Sequence, residues 1–292
     1  MHNWTALFAQ FEILLEQDFS NCQVRNIDGG CINQTFLLEN CHQRYFVKLN
    51  QVDLYEMFVA EMAGLQEIAQ THTIETPKPL ACGTIEKQAF LIMRYFETGH
   101  ADKNAQYVLG EQLAEMHRVT NDQYGWKRDN FIGSTPQIND LKNDWITFWK
   151  ENRLGFQLQL AAQKGYRGTL QNKGEQLLMQ LDKFFKHYCP PASLLHGDLW
   201  SGNYAVTQTG SPIVFDPAVY FGDRETDLAM TELFGGFSKD FYAGYQNNWA
   251  LDEDYKTRKT LYNLYHVLNH LNLFGSSYLG QAQRMIEQLL AV

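Results

Sequence analysis

The sequence predicts an α+β chain in which a small antiparallel β lobe precedes a larger, mostly helical lobe. Three observations carry this. Short β-rich runs punctuated by turn formers crowd the first 96 residues; apolar residues at helical spacing dominate from Asp102 onward; and Thr98-Gly99 interrupts both patterns. An N-terminal lobe is therefore placed at residues 1–96 and a C-terminal lobe at 97–292. A chain of 292 residues is long enough for a sizeable core.

The elements follow in order. Met1 to Phe19 reads as an amphipathic helix, because Glu12, Glu16 and Asp18 break its apolar run and it lacks the basic start and small-residue cleavage site of a signal peptide. CQVRNI, CINQTFLLE and RYFVKLN, separated by Asp28-Gly29-Gly30 and by Asn40 to Gln43, read as an antiparallel meander. Leu54, Phe58, Met62, Leu65 and Ile68 mark a crossing helix that ends before the Thr76 to Pro79 stretch. PLACGTI and AFLIMRYF complete five strands. Helices are predicted at 104–119, 141–163, 174–187, 225–234 and 256–274. A β island, LLHGDLWSGNYAV, then Thr209-Gly210-Ser211, then PIVFDPA, reads as a polar hairpin among them.

Composition narrows the function. With 24 Lys and Arg against 33 Asp and Glu, the net charge of −9 excludes the basic footprint of a nucleic-acid binder or an acidic-membrane ligand. The longest charge-poor stretch, Thr260 to Gln283, carries Asn263, His266, Asn269, His270 and Asn272, so no membrane span is expected. Five cysteines without a CxxC pair point to a reduced, cytoplasmic setting.

The strongest chemical signal is His196-Gly197-Asp198-Leu199-Trp200-Ser201-Gly202-Asn203, followed by Asp216 in IVFDP. Phosphoryl transfer from ATP needs a carboxylate to orient and deprotonate the acceptor hydroxyl, and oxygen ligands to hold Mg²⁺ across the phosphates. Asp198 suits the first task, Asn203 and Asp216 the second. The D-x-x-x-x-N spacing equals that of the protein-kinase catalytic loop. Trp200, inside the loop, is expected to wall the substrate, and His196 and Asp223 are assigned to the substrate site with it.

The N-terminal lobe supplies the nucleotide side. Lys48, between Val47 and Leu49 in a strand, is placed to face the phosphates, and Glu61, thirteen residues on, to hold its ammonium; Glu56 and Glu67 are rival partners. Gly29 and Gly30, followed by Cys31, let the backbone approach an anion closely. Met93, Arg94, Tyr95 and Phe96 end the lobe where an adenine would lie. Neither G-x-x-x-x-G-K-[ST] nor G-x-G-x-x-G occurs, which excludes a mononucleotide P-loop and a dinucleotide fold.

Other residues read first as structural. His117 packs between helices against a buried carbonyl, and Asp227 caps amides or braces the catalytic loop. His266 and His270 have the spacing of a zinc pair but lack the accompanying Glu. The remaining tryptophans are packing residues.

The strings GGCINQTF, YFVKLN, MFVAEMAGL, LLHGDLWSGN, VFDPAVYFGD, ELFGGF and YHVLNHLNLFGSSY, spread nearly end to end, resemble the fructosamine (ketosamine) kinase family. That family is similar in fold to aminoglycoside and choline kinases, with a bilobal protein-kinase-like architecture. The resemblance implies ATP- and Mg²⁺-dependent phosphorylation of the 3-hydroxyl of ketosamines, free or protein-bound, a deglycation-type repair. It implies Asp198 as base, Asn203 and Asp216 as metal ligands, Lys48 as phosphate lysine, Glu61 as its partner and Arg94 to Phe96 as the nucleotide hinge. Residues 221–227 look more like bacterial members, leaving the choice among fructose, ribulose and erythrulose adducts open. The alternatives are a kinase of aminoglycoside- or choline-like substrates, a nucleotide-binding pseudokinase, and a metallophosphatase, which would need a G-N-H-[DE] motif the chain lacks. Cys31, in the phosphate loop, reads first as a small apolar filler; the alternative is a redox-responsive thiol that blocks the loop or links two otherwise monomeric chains.

Overall fold

A computed structural model describes residues 2–27, 32–40, 43–100 and 103–292. The expectations for Gly29, Gly30 and Cys31 lie outside these residues, as does the Cys31-linked dimer.

Helix α1 (Trp4–Leu15) is capped by the Asn3 side chain, which accepts the Ala6 N–H. A five-stranded antiparallel sheet follows in the order β1 (Gln23–Asn26), β2 (Gln34–Glu39), β3 (Arg44–Gln51), β5 (Gln88–Arg94), β4 (Pro79–Ile85). The last two strands return as a hairpin, so β5 rather than β4 pairs with β3. Helix α2 (Tyr55–Gln70) crosses one face and α1 the other. Alternation along β5 then explains its unbroken apolar run: Phe90 and Ile92 pack on the α1 side, Ala89, Leu91 and Met93 on the α2 side. By the same alternation Tyr45, Val47 and Leu49 of β3 face α1, which sends Lys48 toward α2 and the cleft.

The rest of the chain is mainly helical: α3 (Lys103–His117), α4 (Trp145–Phe148), α5 (Phe156–Gln163), α6 (Thr169–Leu178), α7 (Glu225–Leu233), α8 (Lys239–Asn248), α9 (Tyr255–Phe274) and α10 (Leu279–Leu290). They enclose one large core in which Trp145, Trp149, Tyr262 and Tyr265 interlock. Among the described residues no helix is long and apolar enough to cross a membrane.

Four expectations change. The helix at 141–163 is instead α4 and α5 joined by a π-helical segment, Trp149–Gly155, which turns Arg153 into the core. There the guanidinium stacks over Tyr220 at 4.0 Å and donates to Ile138 O and Asn139 Oδ1. The helix at 174–187 begins earlier, because the buried stripe is Leu170, Gly174 and Leu177, and a 3₁₀ turn at Leu181–Phe185 follows it. The β island is two units rather than one hairpin: β10 (Tyr204–Val206) pairs with β11 (Pro212–Val214), whereas β9 (Ala192–Leu195) lies between β12 (Tyr220–Gly222) and β6 (Thr120–Asn121). A further hairpin, β7 (Asn130–Ile132) with β8 (Thr135–Gln137), and helices α8 and α10 were not expected. Helix α8 lies against α3 through glycines; a Cβ on Gly110 would meet Phe241 O at 2.1 Å, and one on Gly244 would meet Tyr107 O at 2.1 Å.

Candidate active site

A cleft of about 900 Å³ runs between the sheet and the helices. On one side it is lined from the sheet and the segment after it, by Thr35, Phe46, Lys48, Met93, Arg94, Tyr95 and Phe96. On the other it is lined from the β7–β8 hairpin, α7 and α9. Asp198, Asn203 and Asp216 lie along it as well, so the residues singled out from three separate stretches of sequence share one cavity.

Lys48 Nζ donates to Glu61 Oε1 at 2.7 Å and also to Asp216 Oδ1. The rival glutamates are occupied elsewhere, Glu56 by Arg128 and Glu67 by Lys127. Burial opposes a charge on Lys48, but Asp216 and Glu61 hold its ammonium above the ordinary lysine range. Glu61 moves upward, through burial and the nearby Asp216 charge. Two carboxylates thus share one ammonium.

The catalytic-loop segment leaves β9 through Gly197, whose φ of +82° and position against Ala218 O, 2.0 Å from where a Cβ would sit, exclude a side chain. Asp198 follows on the cleft floor. Asn203 reaches back with Nδ2 to Asp198 O at 2.8 Å, which fixes the loop and leaves Oδ1 outside that bond. Burial first, and then the charges of Asp216 and Asp227, push the Asp198 carboxyl up to about 7. Asp216 has φ +56°, a left-handed conformation that costs of order 1–3 kcal/mol for a non-glycine residue and is held by the structure around it.

The donors fit a hard cation. The Asn203 amide oxygen and the Asp216 oxygen not engaged by Lys48 are both hard ligands, and Mg²⁺ ordinarily takes one or two carboxylates together with substrate phosphates. The repulsion that raises Asp198 is a surplus of negative charge that such an ion would offset. Among the described residues no cluster of three His, Cys, Asp or Glu could hold a metal unaided.

Two expected substrate residues sit elsewhere. His196 is fully buried; Nε2–H donates to Phe215 O at 3.0 Å and Nδ1 accepts from Asp198 N at 3.3 Å, so it braces the segments bearing Asp198 and Asp216. Asp223 is also fully buried. It accepts from Tyr188 OH at 2.9 Å, from Tyr262 OH and from Glu225 N at the start of α7. Neither lines the cleft, because each sits on the core side of its strand end. Trp200, 39% exposed, does line it, with its ring over Gly202. The hinge reading narrows: Arg94 N donates to Lys78 O and Tyr95 N to Arg44 O, so these two amides are engaged within the protein.

Asp227 braces the loop from behind. It accepts from His196 N at 2.7 Å, Gly197 N at 2.9 Å and His117 Nε2 at 3.1 Å. His117 meets Tyr245 OH at 2.8 Å, a hydroxyl rather than the carbonyl expected for it. Although burial works against the charge, these donors hold the Asp227 carboxylate below its ordinary range.

Sequence reasoning did not assign Asn130, Phe131, Phe234, Asn269 or Phe274 to the site, yet all line the cleft. So do His266 and His270, which form no zinc pair: His270 Nδ1 donates to His266 O at 2.7 Å. The polar spacing along α9 was the available signal, because asparagines and histidines on a buried helix require partners.

The fructosamine kinase family model matches residues 3–292. A Synechocystis protein named "Probable ketoamine kinase" is 42% identical over 99% of this chain and 97% of its own. The chloroplastic protein-ribulosamine 3-kinase of Arabidopsis thaliana is 38% identical over 92% and 82%. The crystal structure of a Haemophilus somnus protein assigned as a fructosamine-3-kinase superposes with a TM-score of 0.89 at 29% identity, covering 98% of this chain and 97% of that one. An aminoglycoside phosphotransferase, at 14% identity and a TM-score of 0.66 over 99% of both chains, shares the fold.

Proposed function

The chain belongs to the fructosamine kinase family, and from that premise we propose how its residues perform the reaction. The protein is an ATP-dependent kinase that phosphorylates the 3-hydroxyl of ketosamines. The observation that carries the residue assignment is the convergence of the Lys48–Glu61 pair, Asp216, Asn203 and Asp198 in one cleft.

Nucleotide enters against Met93, Arg94, Tyr95 and Phe96, and the phosphates extend toward Lys48. Glu61 keeps the ammonium in place as Asp216 turns to its own ligand. Asn203 and Asp216 would hold Mg²⁺, which neutralises phosphate charge when bound. Asp198 accepts the proton of the acceptor hydroxyl as its oxygen bonds to the γ-phosphorus, while the bond from that phosphorus to the bridging oxygen breaks and ADP departs. Burial, the largest cause of its upward shift, favours its taking up that proton. Trp200 walls the sugar, while His196, Asp223 and Asp227 hold the frame. With the lobes divided between residues 96 and 97, as we propose, the nucleotide segment would lie at their junction. The thiols Cys22, Cys82 and Cys189 are free, which suits a reducing, cytoplasmic setting.

The test is turnover of purified protein with Mg-ATP on fructosamine, ribulosamine and erythrulosamine adducts, read by mass spectrometry of the phosphorylated product. Activity on at least one adduct is expected. Phosphorylation of an aminoglycoside or choline with none on any ketosamine would overturn the assignment.

A further inference from the structure

One wall of the cleft, contributed by Trp200, Phe234 and the end of α9, is aromatic. Trp200, Phe234 and Phe274 are 39%, 45% and 54% exposed, and all three line this one cavity. His270 joins them, with ring centroids 5.0 Å from Phe234 and 5.3 Å from Phe274. Among the described residues that line the cleft, the lysines and arginines are Lys48 and Arg94, both from the sheet. Lys48 is held by Glu61 and Asp216; Arg94 donates to Gln43 Oε1 and lies over Tyr45.

The two histidines add no charge here. Burial first, and then the repulsion that a protonated His270 would exert, lowers His266 to about 3, and burial also lowers His270, so both rings are neutral near pH 7. His266 has its Nδ1 sealed without a partner, so the less costly place for its proton is Nε2. The ring therefore offers a neutral donor suited to a sugar oxygen.

A ketosamine brings a secondary ammonium next to its sugar. Aromatic faces attract such a cation. A carboxylate one carbon from that nitrogen would lose its hydration against phenylalanine rings, and among the described residues this wall offers no lysine or arginine in exchange. Resting on the ketosamine kinase reading, we infer that this wall of the cleft selects adducts whose amine bears an uncharged substituent, such as a lysine side chain within a peptide or a neutral alkylamine. It discriminates against adducts at the α-amine of free amino acids.

The experiment compares kcat/KM, with saturating Mg-ATP, for one ketose on three amines: glycine, glycinamide and the side chain of Nα-acetyl-lysine amide. The glycinamide and lysine adducts should exceed the glycine adduct by at least about tenfold, equivalent to about 1.4 kcal/mol. Phe274→Arg, at an exposed position, should shrink the glycinamide-to-glycine ratio by supplying the missing cation. Equal values for glycine and glycinamide, or preference for glycine, would overturn the inference while leaving the kinase reading intact. No turnover of any adduct with any ketose would overturn the kinase reading itself.

Discussion

Asp216 and Asp227 flank the same loop and are built for opposite ends. The Asp216 side chain is 43% exposed, sits on strained backbone and holds a lysine that has a second partner. Asp227 is 1% exposed and takes two backbone amides and a histidine, all from groups within the protein. A carboxylate that must receive a ligand needs an exchangeable partner and access to solvent. One that must hold a loop still needs fixed donors, and burial makes their loss costly. Carboxylates of the first kind, Asp198 and Asp216, should therefore govern rate, and those of the second kind stability.

The largest effect tests the rate side. Asp198→Asn should lower kcat by about 10² to 10⁴-fold, with the KM for ATP and the thermal midpoint almost unchanged, because it removes a proton acceptor and no packing. A large drop in midpoint would place Asp198 with the structural carboxylates. Next comes Asp227→Ala, which orphans the His196 and Gly197 amides and His117 in the interior; a loss of about 3–5 kcal/mol in denaturant unfolding is expected. If this variant unfolds like the wild type and only its rate falls, the distinction collapses.

His266 gives a smaller, pH-dependent effect. Its folded value, about 3, lies below its ordinary value of 6.5, so the folded state binds fewer protons than the unfolded chain. This contribution is complete above about pH 6.5 and erodes as the pH falls toward 3. At pH 5 the erosion should reach about 2 kcal/mol, and His266→Gln should flatten unfolding free energy between pH 7 and 5. An unchanged slope would show that the ring is solvated. The smallest effect sharpens the choice of lysine partner: Glu56→Gln breaks an exposed pair with Arg128 and should change stability by no more than about 1 kcal/mol, with kcat unaffected. Glu61→Gln should lower kcat/KM, and the reverse ranking would assign Lys48 to the other glutamate.

The legible parts were those governed by local periodicity. The five strands and α2 were read because both faces of the sheet are covered, so apolar residues recur at short, regular spacing. The break into α4, a π segment and α5 was not, because it answers to Arg153 reaching Ile138 O and Asn139 Oδ1 on the segment just after β8. α10 was missed although Ala282, Ile286 and Leu289 lie on one helical face; that pattern was available. α8 was less readable, because its buried stripe is short, Phe241, Gly244 and Tyr245, and its close approach to α3 depends on Gly110 and Gly244.

The sequence by itself determined the candidate reactive set. Asp198, Asn203 and Asp216 lie within nineteen residues of one another, and their types and spacing state their chemistry. It also determined Lys48 and offered Glu61 among three glutamates. Glu61 was already favoured over Glu56 and Glu67 by its place in the helix, and the tertiary structure shows the pair made, on the face of α2 turned to the cleft. Only the tertiary structure placed His196 and Asp223 in the core behind the cleft, and gathered Phe131, Phe234, His266 and Phe274 from three distant elements into the cleft lining. A motif records which groups react because chemistry demands particular atoms at close spacing. The shape around them comes from long-range packing, which one-dimensional spacing does not encode.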